Sequence, residues 1–146
     1  MTHLGVPWIG SVGAFDMVNF WARETVPERH SGRRFHVHNA NVTLMRTTAE
    51  ENRQAGAWLA DKLNRSPGPV RLLLPEGGVS MLDAVGQPFH DPEADAALFE
   101  AVEATFRLSK SHRLSRVPHH INDPGFAGAI VDEVRQVLSA ARELTA

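Results

Sequence analysis

Cysteine and tyrosine are absent from the 146 residues, and lysine occurs only at Lys62 and Lys110, so that thirteen of the 15 basic side chains are arginine. Without cysteine there is no disulfide framework, no thiolate zinc site and no thiol nucleophile. No apolar run approaches the ~18 residues of a membrane span. The most continuous stretch, Val70 to Pro75, is short and holds Arg71. The opening MTHLGVPWIG has neither a basic n-region nor a cleavage site, so no secretory leader is expected and a cytoplasmic location follows. Charge of one sign is also lacking. Seventeen acidic against 15 basic residues leave a net charge of -2, which argues against general nucleic-acid binding. The arginine skew means that no single arginine, by itself, signals bidentate anion recognition.

What is present suits one globular domain. The chain is 42% hydrophobic, and a chain of this length buries roughly 70% of its unfolded surface without staples. Three helices are predicted by periodicity. The first runs from about Thr48 to Asn64, with Ala55, Trp58, Leu59 and Leu63 on one face and a capping box at Thr48 and Glu51. The second runs from Pro92 to about Ser109, with Leu98, Val102 and Phe106 at helical spacing. The third runs from Pro124 to about Leu144, with Ala127, Ile130, Val134, Leu138 and Ala141 on one stripe. Asp-Pro opens each of the last two, an N-cap followed by the residue favoured at the first helical position.

Between them lie β-type runs at 8–12, 34–37, 70–74 and 114–117, with a further short strand at 41–45 and a helix or loop at 15–21. Strands alternating with long helices predict βαβ units and a parallel three-layer α/β sheet, Rossmann-like or flavodoxin-like. In such sheets ligands bind outside the carboxyl ends of the strands. The polar residues expected on that rim are Asp16 and Asn19 after the first run, and His38 and Asn39 with Arg46, Thr47 and Thr48 after the second. Glu76, Gly77, Gly78, Ser80 and Asp83 follow the third, and His119, His120 and Asn122 the fourth.

Each motif carries two readings. Arg46, Thr47 and Thr48 stand where helix N-terminal amides and the dipole favour a phosphate, yet Thr48 and Glu51 also form a sufficient cap. Gly77 and Gly78 admit a backbone close to a ligand or simply make a tight turn, and they match neither a Walker loop nor GxGxxG. Glu76 and Asp83 suit a general base or solvated carboxylates. His119 or His120 suits an acid-base role. Adjacent histidines point apart along an extended chain, and no transition metal is expected. The cations from Arg107 to Arg116 are read as complementing a helix C-terminus, and Asp91 and Asp123 as caps.

Several segments together resemble a known family: Gly13 to Phe20, His36 to Asn39, Thr43 to Thr48 with Glu50 and Glu51, Leu74 to Ser80, Pro88 to Asp95, and His119 to Pro124. The sequence is similar, nearly throughout and in order, to bacterial and plant proteins related to the tomato mosaic virus resistance protein, often labelled an ATP-binding-domain family. The resemblance implies two α/β domains in full members, with this chain most of the second. It would lack the second domain's opening strand and helix. It also implies a nucleotide-type ligand, ATP with Mg2+, in a cleft between domains. A missing strand would leave a sheet edge open, so a homo-oligomer, or a chain supplying the missing half, is expected.

The leading expectation is therefore a nucleotide- or phosphate-ligand-binding domain. A hydrolase or lyase acting on a small carboxylate or phosphorylated metabolite is the second expectation, with His119 or His120 as acid-base and Glu76 or Asp83 assisting. A non-catalytic assembly module is the third.

Overall fold

A computed structural model describes residues 5–143. The first four residues of the leader reading, the side chain of Ala141 and the expected helix end at Leu144 lie outside that description. Among the described residues, no helix is long and apolar enough to cross a membrane.

The centre is a parallel sheet in the order β1 (Trp8–Ser11), β5 (Val70–Pro75), β6 (His112–Val117), with Trp8 opposite Val70 and Val70 opposite His112. Every residue of β5 is buried, which is why its sequence is nearly continuous in apolar residues. Val70, Leu72 and Leu74 enter one core with Val12, Leu59, Leu63, Leu98 and Val102. Leu73 enters a second, on the other face, with Val117 and Phe126. Helices thus cover both faces, and the chain has the mixed α/β architecture of a partial Rossmann-like fold.

Helix α1 (Ala49–Asn64) starts at the expected capping box: the Glu51 amide donates to the Thr48 hydroxyl at 3.2 Å and the Thr48 amide to Glu51 Oε2 at 2.7 Å. Helix α2 (Pro92–Thr105) starts at Asp91, which accepts from the Ala94 amide at 3.1 Å. The two helices meet at Gly56, where a Cβ would stand 2.6 Å from the Leu98 carbonyl oxygen. That approach turns Trp58 outward, to 59% exposure, against the expected inward face. Helix α2 ends at Thr105 rather than near Ser109, so of the cationic run only Arg107, next to the C-cap Phe106, stands at its C-terminus. Arg113 and Arg116 belong to β6 instead, and Arg116 grips Glu103 with two hydrogen bonds of 2.7 and 2.9 Å. Helix α3 (Pro124–Glu143) covers the opposite face.

One expectation is corrected. Residues 34–37 do not form a second parallel strand. Strand β3 (Phe35–Asn39) pairs with β4 (Val42–Arg46), and β2 (Met17–Phe20) replaces the helix or loop expected at 15–21. They make a separate antiparallel sheet in the order β2-β4-β3. The physical reason is the turn at Ala40 and Asn41. Two residues close a hairpin, whereas a parallel crossover needs a dozen or more.

Candidate functional site at the carboxyl ends of the strands

Strand β4 ends at the parallel sheet's carboxyl rim and delivers Arg46 there, 2% exposed. Its Nε donates to the Phe89 carbonyl at 2.8 Å, and its Nη2 to Asp83 Oδ1 at 3.2 Å and Asp95 Oδ1 at 2.8 Å. Nη1 meets only the Thr47 hydroxyl, at 3.2 Å. Arg46 therefore ties the antiparallel sheet to the long loop after β5 and to the first turns of α2. Asp83 is fully engaged, because its second oxygen accepts from the Val79 amide at 2.9 Å. Nearby, Asp16 is wholly buried and accepts from the Ser80 hydroxyl at 2.6 Å. Burial pushes the Asp16 carboxyl above the ordinary range; the Ser80 hydrogen bond opposes this and the Asp83 charge reinforces it.

Two depressions flank the segment His90 to Pro92 in front of this cluster. The first is a cleft of about 310 Å³ at the ends of β5 and β6, lined by Glu76, Gly77, Gly78, Asp83, His90 and Asp95, with Phe99, Val85 and Arg116 among its walls. Asp95 is raised to about 7, chiefly by burial, with the Arg46 hydrogen bond opposing and the Asp83 charge adding. It is a carboxylic acid poised to hold or release a proton near neutrality.

The second is a polar hollow of about 280 Å³ at the N-terminus of α1, lined by Gly32, Arg33, Arg34, Arg46, Thr47, Thr48 and Asp91. Arg33 reaches Glu51 at 2.5 and 3.0 Å, and Arg34 reaches Asp91 at 3.0 Å. The capping box occupies the amides of Thr48 and Glu51; those of Ala49 and Glu50 have no partner within the helix.

The structure brings Glu76, Gly77, Gly78 and Asp83 to the cleft, and Arg46, Thr47 and Thr48 to the hollow. The glycine pair has a packing explanation. A Cβ on Gly77 would lie 2.4 Å from the His120 amide nitrogen, and Gly78, at φ +124°, would place one 2.7 Å from the Asp83 carbonyl oxygen. Ser80 is held between Asp16 and the Leu82 amide. His120 Nε2 donates to the Ser80 carbonyl at 2.9 Å and Nδ1 accepts from the Asn122 amide at 3.1 Å, so both ring nitrogens are engaged. His119 is exposed beside Gly125. The Asp123 carboxylate turns back to accept from the His120 amide at 3.0 Å.

Asn19, His38 and Asn39 line neither depression. Asn19 lies on β2 opposite Leu44, beside Trp21 and Val42, and Asn39 is opposite Val42. Val42 is four residues, or ~13 Å, along β4 from Arg46. Conversely, sequence reasoning did not single out Asp95, His90, Arg33 or Arg34. Asp95 lies inside the Pro88 to Asp95 segment, where an acid in a first turn reads as a dipole complement. The Arg33-Arg34 pair precedes a strand and has no motif.

Residues 1–138 match the C-terminal domain of the uncharacterised protein family UPF0261. The chain belongs to that family. It is 59% identical over 132 residues to a UPF0261 protein of Rhizobium meliloti, covering 90% of this chain and 33% of that protein. It is 57% identical over 130 residues to one of Mesorhizobium japonicum, again 33% of the relative. It is also 41% identical over 139 residues to the ToMV resistance protein Tm-1 of Solanum lycopersicum, covering 95% of this chain and 18% of that protein. The chain thus spans about a third of the length of these bacterial relatives.

Proposed function

We propose that this UPF0261 domain binds a small phosphate-bearing molecule of the nucleotide class at the rim, with phosphate seated in the hollow at the start of α1. The observation that carries this reading is the lining of that hollow by three guanidinium groups and two threonines over free helix N-terminal amides. Arg34 is the main hook. It is half-exposed, and its Nη2 would exchange Asp91 Oδ2 for a phosphate oxygen while Nη1 keeps the His90 carbonyl at 3.2 Å. Arg33 holds Glu51 through both terminal nitrogens and the Arg46 carbonyl through Nη2, so it adds charge rather than a free donor, and Arg46 contributes Nη1 alone. The adjoining cleft, with Phe99 and Val85 in its wall, offers room for a base or sugar. Magnesium would arrive with a polyphosphate, since among the described residues no three His, Asp or Glu side chains converge as ligands.

Calorimetric titration with ATP, ADP and inorganic phosphate tests the reading. Arg34→Ala should lower affinity about tenfold or more, consistent with ~1.5–3 kcal/mol for a hydrogen bond to a charged group. Wild-type affinity in a folded R34A protein would remove the hollow from the account.

A second reading, an acid-base enzyme acting on a small carboxylate or phosphorylated metabolite, is favoured by Asp95 in the cleft. Asp95 rather than His119 or His120 is its best proton carrier, because it combines access with a value near 7. In that case Asp95→Asn abolishes turnover while leaving nucleotide binding intact.

A further inference from the structure

Among the described residues, one carboxylate stands beside the three guanidinium groups that line the hollow at the start of α1, that of Asp91. A carboxylate in an anion seat repels the ligand unless the ligand brings a proton to it. Asp91 is anchored where it is. Its Oδ1 caps α2 by accepting from the Ala94 amide at 3.1 Å, its carbonyl accepts from Arg46 Nη2 at 3.4 Å, and Pro92 follows at the first helical position. Its Oδ2 accepts from Arg34 Nη2 at 3.0 Å. Once a ligand oxygen takes that donor, Oδ2 is left as an acceptor that the cap holds at the wall of the hollow.

Glu51, the other acid at this helix start, is outside the lining and is spent. Arg33 Nη1 donates to its Oε1 at 3.0 Å, and Oε2 receives Arg33 Nη2 at 2.5 Å and the Thr48 amide at 2.7 Å. What the hollow otherwise offers is donors. They are Arg34 Nη2, the amides of Ala49 and Glu50, and the second N–H of Arg46 Nη1, whose first meets the Thr47 hydroxyl. Arg46 is 2% exposed and still lines the hollow. Several donors with one anchored acceptor match an oxyanion that has bare oxygens and one hydroxyl.

We propose that Asp91 sets the specificity of the hollow, its Oδ2 accepting the hydroxyl of hydrogen phosphate or of a protonated phosphate monoester. The proposal rests on the phosphate reading of the hollow and narrows it to terminal phosphates. Hydrogen phosphate already carries the proton. A monoester, whose second ionisation lies near pH ~6, takes one from solvent as it binds. Sulfate carries the same double negative charge on four bare oxygens, and a phosphodiester has no ionisable hydroxyl left. Each would set a bare oxygen against Oδ2, so the site rejects them by an unpaired charge.

Calorimetric titration of the 146-residue chain with sodium phosphate and with sodium sulfate at pH 7 tests this, because the two anions differ chiefly in the proton. The wild type should bind sulfate at least about tenfold more weakly than phosphate, as a charged acceptor left unpaired requires. Asp91→Asn keeps the α2 cap, since asparagine caps as well as aspartate, and turns an N–H donor toward the hollow in place of Oδ2. In that variant sulfate should bind within about threefold of phosphate. A wild type that binds both anions equally overturns the proposal and leaves the phosphate reading standing. A folded variant that keeps the wild-type ratio overturns it as well. A wild type that binds neither anion overturns the proposal together with the reading beneath it.

Discussion

Replacing Arg46 by alanine is the sharpest test of how this rim is held together. The side chain is 2% exposed, and its two carboxylate partners, Asp83 and Asp95, are 0% and 15% exposed at 3.2 and 2.8 Å. The substitution would leave two poorly solvated carboxyl groups without their cation, and the Phe89 carbonyl without its 2.8 Å donor. Breaking a buried pair from one side destabilises by about 3–5 kcal/mol. With a urea dependence of roughly 2 kcal/mol per molar for a chain this size, the midpoint should fall by about 1.5–2.5 M. The deficit should narrow on acidification, because Asp95, raised to about 7 chiefly by burial, then takes up a proton and loses the charge that Arg46 balances. Urea titrations of both proteins at pH 7.5 and pH 5 measure all of this. A loss below about 1 kcal/mol at pH 7.5 with an unchanged slope would refute the keystone role of Arg46.

Two further outcomes follow from the same cluster. Because burial raises Asp95 to about 7, the native chain holds a proton there that the unfolded chain releases near pH ~4, so this group makes stability fall as pH rises from about 4 to 7 and level off above. Asp95→Asn should remove that component, visible as the pH-dependent difference between wild-type and variant melting curves; parallel curves would contradict the assignment. Gly77→Ala drives a Cβ to 2.4 Å from the His120 amide nitrogen and should destabilise by at least about 1–3 kcal/mol, read by thermal melting. A neutral effect would mean that the glycine pair serves a ligand rather than the packing of the His119-His120 segment.

The layers of this domain were readable where one physical signal dominates. β5 is apolar because helices cover both its faces, and the caps at Thr48 and Asp91 announce α1 and α2. The antiparallel sheet was harder. β3 and β4 look like any half-apolar runs, and only the shortness of the turn at Ala40 and Asn41 distinguishes a hairpin from a crossover. Trp58 and the α3 stripe misled for a related reason. Hydrophobic periodicity marks faces suited to burial, but Gly56 chooses which face of α1 meets α2, and on α3 it is Phe126 and Val137 that are buried, with Ile130 partly so, while Leu138 stays 54% exposed. Of the site, Asp83 and Arg46 were visible as residues but not as partners, since 37 positions separate them in the chain. Asp95 gained its character from burial against Asp83, which no local pattern encodes.

Amide chemical shifts recorded while ATP, and separately inorganic phosphate, is titrated into the labelled chain test the central claim most directly. Binding in the hollow should move the amides of Gly32 to Arg34 and of Thr47 to Glu50, with phosphate alone moving that set and ATP extending it toward Glu76, Gly78 and Asp95. Shifts confined to the cleft, or none with either compound, would contradict the phosphate-binding account.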